Sequence, residues 1–183
     1  VRCQGTCERV TTRYEYSGVP SCRAVSGIAG GPNACEFGCV GFGECLTVCA
    51  FGAITMVDGI AVIDDDVCTG CGMCVDVCPR NIITMLPKDQ TVVVMCRNEA
   101  TGKRAVLQCK TACVGCKRCE KACDSESIKV VKGVAIIDET TCTRCGACIP
   151  VCPMHCIVNF YERNMEDVAL VTAQAELNEI EIP

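Results

Sequence analysis

The residues with chemistry in them are cysteines, 22 of 183. Two runs set the pattern: Cys68-Thr-Gly-Cys71-Gly-Met-Cys74-Val-Asp-Val-Cys78-Pro79 and Cys142-Thr-Arg-Cys145-Gly-Ala-Cys148-Ile-Pro-Val-Cys152-Pro153. Three thiols at every third position of a glycine-permissive loop can curl round three iron corners of one iron–sulfur cubane, with backbone N–H groups turned toward its sulfides. The fourth cysteine lies past the start of a short helix, too far round to reach that cubane, and is expected to ligate a second one. The proline after it fixes the turn. Zinc is a competing metal, but it favours paired C-x-x-C units that close on four ligands, not three plus an outlier. A secreted disulfide framework is the other competitor; the tight C-x-x-C clustering and the lack of a signal peptide argue against it.

The elements that must hold these runs come as a repeat. An offset of 74 residues relates the two runs cysteine by cysteine, and it also maps Cys22 to Cys96, Cys35 to Cys109, Cys39 to Cys113, Cys45 to Cys119 and Cys49 to Cys123. Between the runs, residues 54–63 (ITMVDGIAVI) and 128–137 (IKVVKGVAII) read as hairpins turning at Asp58-Gly59 and Lys132-Gly133. Each half is therefore loop, short helix, hairpin, loop, short helix, the order of a bacterial-type two-cluster ferredoxin module. The expected fold is α+β, with two such modules in tandem at residues 35–86 and 109–160. A cysteine-containing N-terminal extension, residues 1–34, precedes them. Residues 87–108 connect them through an apolar strand at 91–95 and a polar turn at 98–103. The tail, 161–183, carries Met165, Val168, Leu170, Val171 and Leu177 in a patchy amphipathic pattern and reads as a frayed surface helix.

In the second module Cys113, Cys116 and Cys119 with Cys152 are expected to hold one cluster, and Cys142, Cys145 and Cys148 with Cys123 the other. The first module departs from this. Phe42 stands where Cys116 stands in the repeat, and Cys35 is the nearest substitute. The expected sets are Cys35, Cys39 and Cys45 with Cys78, and Cys68, Cys71 and Cys74 with Cys49. That makes four 4Fe–4S clusters and leaves Cys3, Cys7, Cys22, Cys96, Cys109 and Cys156. These six are taken as structural thiols, although Cys3, Cys7 and Cys22 could hold a fifth cluster. His155 is taken as a helix-surface residue. No nucleophile with its base, no phosphate loop and no dinucleotide fingerprint is present.

The remaining composition fits a cofactor-filled interior. Modules of about 60 residues cannot build a large apolar core and need staples, and the chain has no Trp and only 4% aromatic residues. The net charge of −5 argues against a nucleic-acid partner. No apolar run approaches a membrane span. The sequence begins at Val1 without Met, as expected of a fragment or processed form from which an anchor has been removed.

The order Cys3-Gln-Gly-Thr-Cys7, Tyr14-Glu-Tyr16-Ser-Gly18, Ser21-Cys22, Gly30-Gly31-Pro32 and Cys35-Glu-Phe-Gly-Cys39-Val-Gly-Phe-Gly-Glu-Cys45, followed by the two modules, resembles the family of Rnf complex B subunits over residues 1 to 158. The resemblance implies an iron–sulfur electron-transfer subunit of a membrane-bound, ion-translocating ferredoxin:NAD oxidoreductase, accepting electrons from reduced ferredoxin on the cytoplasmic side of the bacterial cell membrane. It also implies redox and membrane partner subunits, with membrane contact through those partners or through an N-terminal helix not in this sequence. Two readings of other classes stand beside it: a polyferredoxin subunit of a soluble hydrogenase or molybdoenzyme, and a metal-stapled interaction module without redox function.

Overall fold

The computed structural model describes residues 1–161; the patterned tail beyond them, with Met165, Val168, Leu170, Val171 and Leu177, lies outside the described residues. In chain order the elements are α1 (Cys22–Gly27), α2 (Glu44–Thr47), β1 (Ile54–Val57), β2 (Ile60–Ile63), α3 (Met73–Val77), β3 (Val92–Val94), α4 (Gly102–Gln108), α5 (Arg118–Lys121), β4 (Ile128–Val131), β5 (Val134–Ile137) and β6 (Ile157–Asn159). None exceeds seven residues, so they are held by packing and turn chemistry rather than by helix or sheet cooperativity.

The two expected hairpins form. Asp58 and Gly59 turn at φ 47° and 80°, and Lys132 and Gly133 at 48° and 83°. Two consecutive left-handed residues make the turn whose twist matches its flanking strands. The register follows, Ile54 opposite Ile63 and Ile128 opposite Ile137. The inward faces seed two apolar clusters, one around Ile54, Ile60, Ala61, Ile82 and Ile83 and one around Ile128, Val134, Ala135 and Ile157.

The connecting stretch departs from the expectation in two ways. Its strand, β3, pairs antiparallel with β6, Val94 opposite Ile157, so it closes the second apolar cluster. Its polar turn runs on into a helix, α4. Asn98, 1% exposed, sets this up: its Oδ1 accepts from Ala100 N at 2.8 Å and its Nδ2 donates to Gln108 Oε1 at 2.9 Å, clamping the turn to the last residue of α4. The helix expected after Cys148 is absent. In α3 Asp76 N donates to Gly72 O, but Pro150 occupies the repeat position and has no N–H for Gly146 O, leaving a turn. His155 likewise sits in a tight turn at φ 49°, not on a helix.

The N-terminal segment stitches the two halves together. Arg2 N donates to Ile82 O, while its guanidinium donates to Val94 O and Cys96 O. Further on, Thr11 N donates to Gln108 O and Lys110 N to Arg9 O, forming the Val10–Cys109 bridge, and Ala34 N donates to Thr11 O.

One backbone approach recurs at the repeat offset. Gly41 (φ 81°) and Gly115 (φ 69°) lie so close to the hairpin turns that an added Cβ would stand 2.8 Å from Gly59 O and 3.0 Å from Gly133 O. Gly41→Ala should therefore destabilise the fold by about 1–3 kcal/mol through strain at φ > 0 plus the clash. Gly27→Ala, at the end of α1 with nothing within 4 Å, should be neutral or mildly stabilising. Rates of thermal cluster bleaching in the two variants, followed anaerobically, check this; equal rates would refute it.

Candidate iron–sulfur sites

The four cysteine loops share one local geometry. Each carries two left-handed residues separated by one other: Gly41 and Gly43, Gly70 and Gly72, Gly115 and Lys117, Arg144 and Gly146. Alternating handedness of this kind curls successive N–H groups into a concavity that favours negative charge. A short helix follows the first three loops and carries the last loop thiol, as α3 carries Cys74.

Three of the four expected sets come together. Cys49 lines one cavity with Cys68, Cys71 and Cys74. Cys152 lines another with Cys113, Cys116 and Cys119, and Cys123 a third with Cys142, Cys145 and Cys148. In each the fourth thiol crosses over from the module's other run.

The fourth set differs from the expectation. Cys39, Cys45 and Cys78 line one cavity, and the thiol that joins them is Cys22, not Cys35. The cause is the extension. Ser21 caps α1, its Oγ accepting from Ala24 N at 3.2 Å and donating to Glu44 Oε1 at 2.5 Å. Glu44 opens α2, so this bond sets Cys22 beside Cys45. Phe42 turns aside, edge-on to Tyr16 at 5.6 Å between ring centroids. Cys35 instead lines a different cavity with Cys3, Cys96 and Cys109. The trio Cys3, Cys7 and Cys22 is dispersed: Cys7 is exposed, its N–H and S–H both directed at Asp58 O.

Among the described residues no group of three or more His, Cys, Asp or Glu is drawn together closely enough to hold a single ion. The thiols instead line cavity walls, as a polynuclear cluster with one thiolate per corner requires. Burial opposes their ionisation while no metal compensates, and it pushes the Cys39, Cys45, Cys119 and Cys148 thiols up to about 11. Cys113 and Cys152 go the other way, down to about 6 and about 5. Cys156, 3.5 Å from Cys152 Sγ, keeps its proton and donates to both.

A family model for the 4Fe-4S binding domain matches residues 61–84 and 135–158, the segments that carry the Cys68–Cys78 and Cys142–Cys152 runs. The B subunit of the ion-translocating oxidoreductase complex of Methanosarcina acetivorans is 43% identical over 158 residues, 86% of this chain and 60% of the relative. The B subunit of the Na(+)-translocating ferredoxin:NAD(+) oxidoreductase complex of Acetobacterium woodii is 45% identical over 158 residues, 86% of this chain and 47% of the relative. Its counterpart in the proton-translocating ferredoxin:NAD(+) oxidoreductase complex of Clostridium ljungdahlii is 39% identical over 156 residues, 84% and 55% respectively. Over most of its length the chain is similar to these B subunits. It spans about half to three-fifths of the length of these relatives.

Two residues that the sequence did not attach to any cysteine run bear on the sites. Cys22 had only its repeat partner Cys96 as a signal, with no nearby run to attach it to. Cys156 replaces Ile82 of the first half, and only the fold brings its S–H against Cys113 and Cys152.

Iron binds thiolate, so each thiol raised by burial gives up a proton on loading, and acid opposes loading. Cys39 and Cys45, at about 11, release those protons across the whole range below that value, whereas Cys113 and Cys152 are already ionised above about 6. Acidifying loaded protein from pH 9 toward pH 6 should therefore strip iron from the Cys39/Cys45 set before the Cys113/Cys152 set. Mössbauer or electron paramagnetic resonance spectra along the titration resolve the order, and simultaneous loss would contradict it.

Proposed function

We propose that this chain passes electrons along four 4Fe–4S clusters, received from reduced ferredoxin within a membrane-bound, ion-translocating ferredoxin:NAD oxidoreductase, on the cytoplasmic side of the cell membrane. The observation that carries the reading is the crossing of thiols: Cys49 and Cys78 each leave their own run for the other's cavity, as do Cys123 and Cys152. A bound cubane takes up and returns single electrons, and thiols crossed in this way would hold two such centres in each module.

The chain's own residues hold, shield and order these centres. We assign Cys22, Cys39, Cys45 and Cys78 to one, Cys49, Cys68, Cys71 and Cys74 to the second, Cys113, Cys116, Cys119 and Cys152 to the third, and Cys123, Cys142, Cys145 and Cys148 to the fourth. Buried Ile54, Ile60 and Ile82 exclude water in the first module, and Ile128, Val134 and Ile157 do so in the second. Cys68, Cys71, Cys116 and Cys145 are exposed, which suits the second, third and fourth centres to exchange with partners. The names of the relatives support ferredoxin and the other subunits of the complex as those partners.

Two experiments test this. Anaerobically prepared protein should absorb broadly in the visible, bleach when mixed with reduced ferredoxin and associate with the membrane subunits; protein that does not bleach is not an electron carrier. Cys22→Ser should cost between one and four of the about sixteen irons these four centres take. Unchanged iron in Cys22→Ser would remove Cys22 from the ligand set.

A further inference from the structure

Cys3, Cys35, Cys96 and Cys109 come from four separate segments and line one cavity, which Cys39 of the first-module set also borders. They are 8%, 6%, 7% and 7% exposed, so this is the one set, among the cysteine-lined cavities of the described residues, whose four members are all buried. Free thiols bury readily as small hydrophobes, and four of them could be packing alone. Three features go beyond packing.

Backbone amides are aimed at the sulfurs. Gly5 N and Cys39 N donate to Cys3 Sγ at 3.3 and 3.4 Å, and Asn98 N and Cys113 N to Cys96 Sγ at 3.4 and 3.3 Å. The backbone of Phe37 hydrogen-bonds Cys35, and the Thr111 hydroxyl lies 3.5 Å from Cys109 Sγ. Such donors stabilise thiolate and tune sulfur ligands from outside; an apolar thiol needs none of them. Glycines keep the space between the sulfurs open. A Cβ on Gly38 would sit 3.6 Å from both Cys3 Sγ and Cys35 Sγ, and one on Gly5 3.5 Å from Cys3 Sγ and 3.7 Å from Cys109 Sγ. Finally, Arg2 and Arg97 line the same cavity, the Arg2 guanidinium bonded to Cys96 O, placing positive charge where a thiolate-bound cluster is net negative.

We propose that Cys3, Cys35, Cys96 and Cys109 hold a fifth 4Fe–4S cluster at the junction of the two modules. The inference rests on the reading of the other four centres and adds the connection between them. Cys39, assigned to the first module, donates its N–H to Cys3, and Cys113, assigned to the second, donates its N–H to Cys96. The junction site therefore adjoins one centre of each module through a single hydrogen bond. A handover there moves one electron, oxidising one cluster and reducing its neighbour, with no atom transferred.

The test is a count of iron and sulfide on the full chain reconstituted anaerobically. Wild type should carry about twenty of each, four per cubane. Cys109→Ser and Cys96→Ser should each lose up to four irons while the signals of the other centres persist, and Cys7→Ser should lose none. Native mass spectrometry of the unsubstituted protein counts cubanes directly and does not depend on whether a variant folds: five supports the proposal and four overturns it. Full iron retention in both serine variants also overturns it. Protein without any iron–sulfur absorption would instead sink the four-centre reading on which it rests.

Discussion

Thiolates resist being buried together. Each loses solvation and each repels the next, so a cavity walled by four of them is stable only when something positive fills it or when they stay protonated. This constraint runs through the whole structure. Burial pushes Cys35 up to about 12 and also raises Cys3 and Cys96, and the loops answer with paired left-handed residues that point amides inward. The apolar clusters are thin, two short hairpins and a few isoleucines each. Iron coordinated by sulfur replaces the core that modules of this size cannot build from hydrocarbon, and metal affinity becomes folding free energy.

How legible this was in the sequence depended on how local the information was. The Asp58-Gly59 and Lys132-Gly133 turns announce their hairpins in two residues, and the Cys-x2-Cys-x2-Cys loops announce three of the cavities in twelve. Cys22 could not be placed that way, because it reaches Cys45 through the Ser21–Glu44 bond, a contact across 23 residues. Nor could Cys35, whose proximity to Cys39 along the chain suggested a shared set, while the fold puts it in a cavity with Cys3, Cys96 and Cys109. The repeat itself misled in one place and informed in another. It made Phe42 look like a gap to be filled from the nearest cysteine, yet it also paired Cys35 with Cys109, and these two meet in space.

The second half shows the same division. Its cysteine runs converge on the expected cavities, whereas α4 hid in a polar stretch because its start depends on buried Asn98 rather than on a side-chain cap at Thr101. The strand at 92–94 was visible from its three valines, but its partner at 157–159 was not, since pairing across 65 residues leaves no periodic trace. Pro150 removed a helix that the repeat had promised, by withholding one N–H.

The N-terminal stitch bears on how the chain folds. Residues 9–12 find their hydrogen-bonding partners at 107–110 and at 33 and 34. About a hundred residues separate the partners at 9–11 from those at 108–110, and the segment that holds Cys3 docks only when that span has closed. Loop closure over that span is slow relative to the local turns, so the self-contained loops can capture metal while the junction is still open. The order of closure is thereby built into the contact map, with the centre of the molecule sealed last and residues 9–12 serving as its seam.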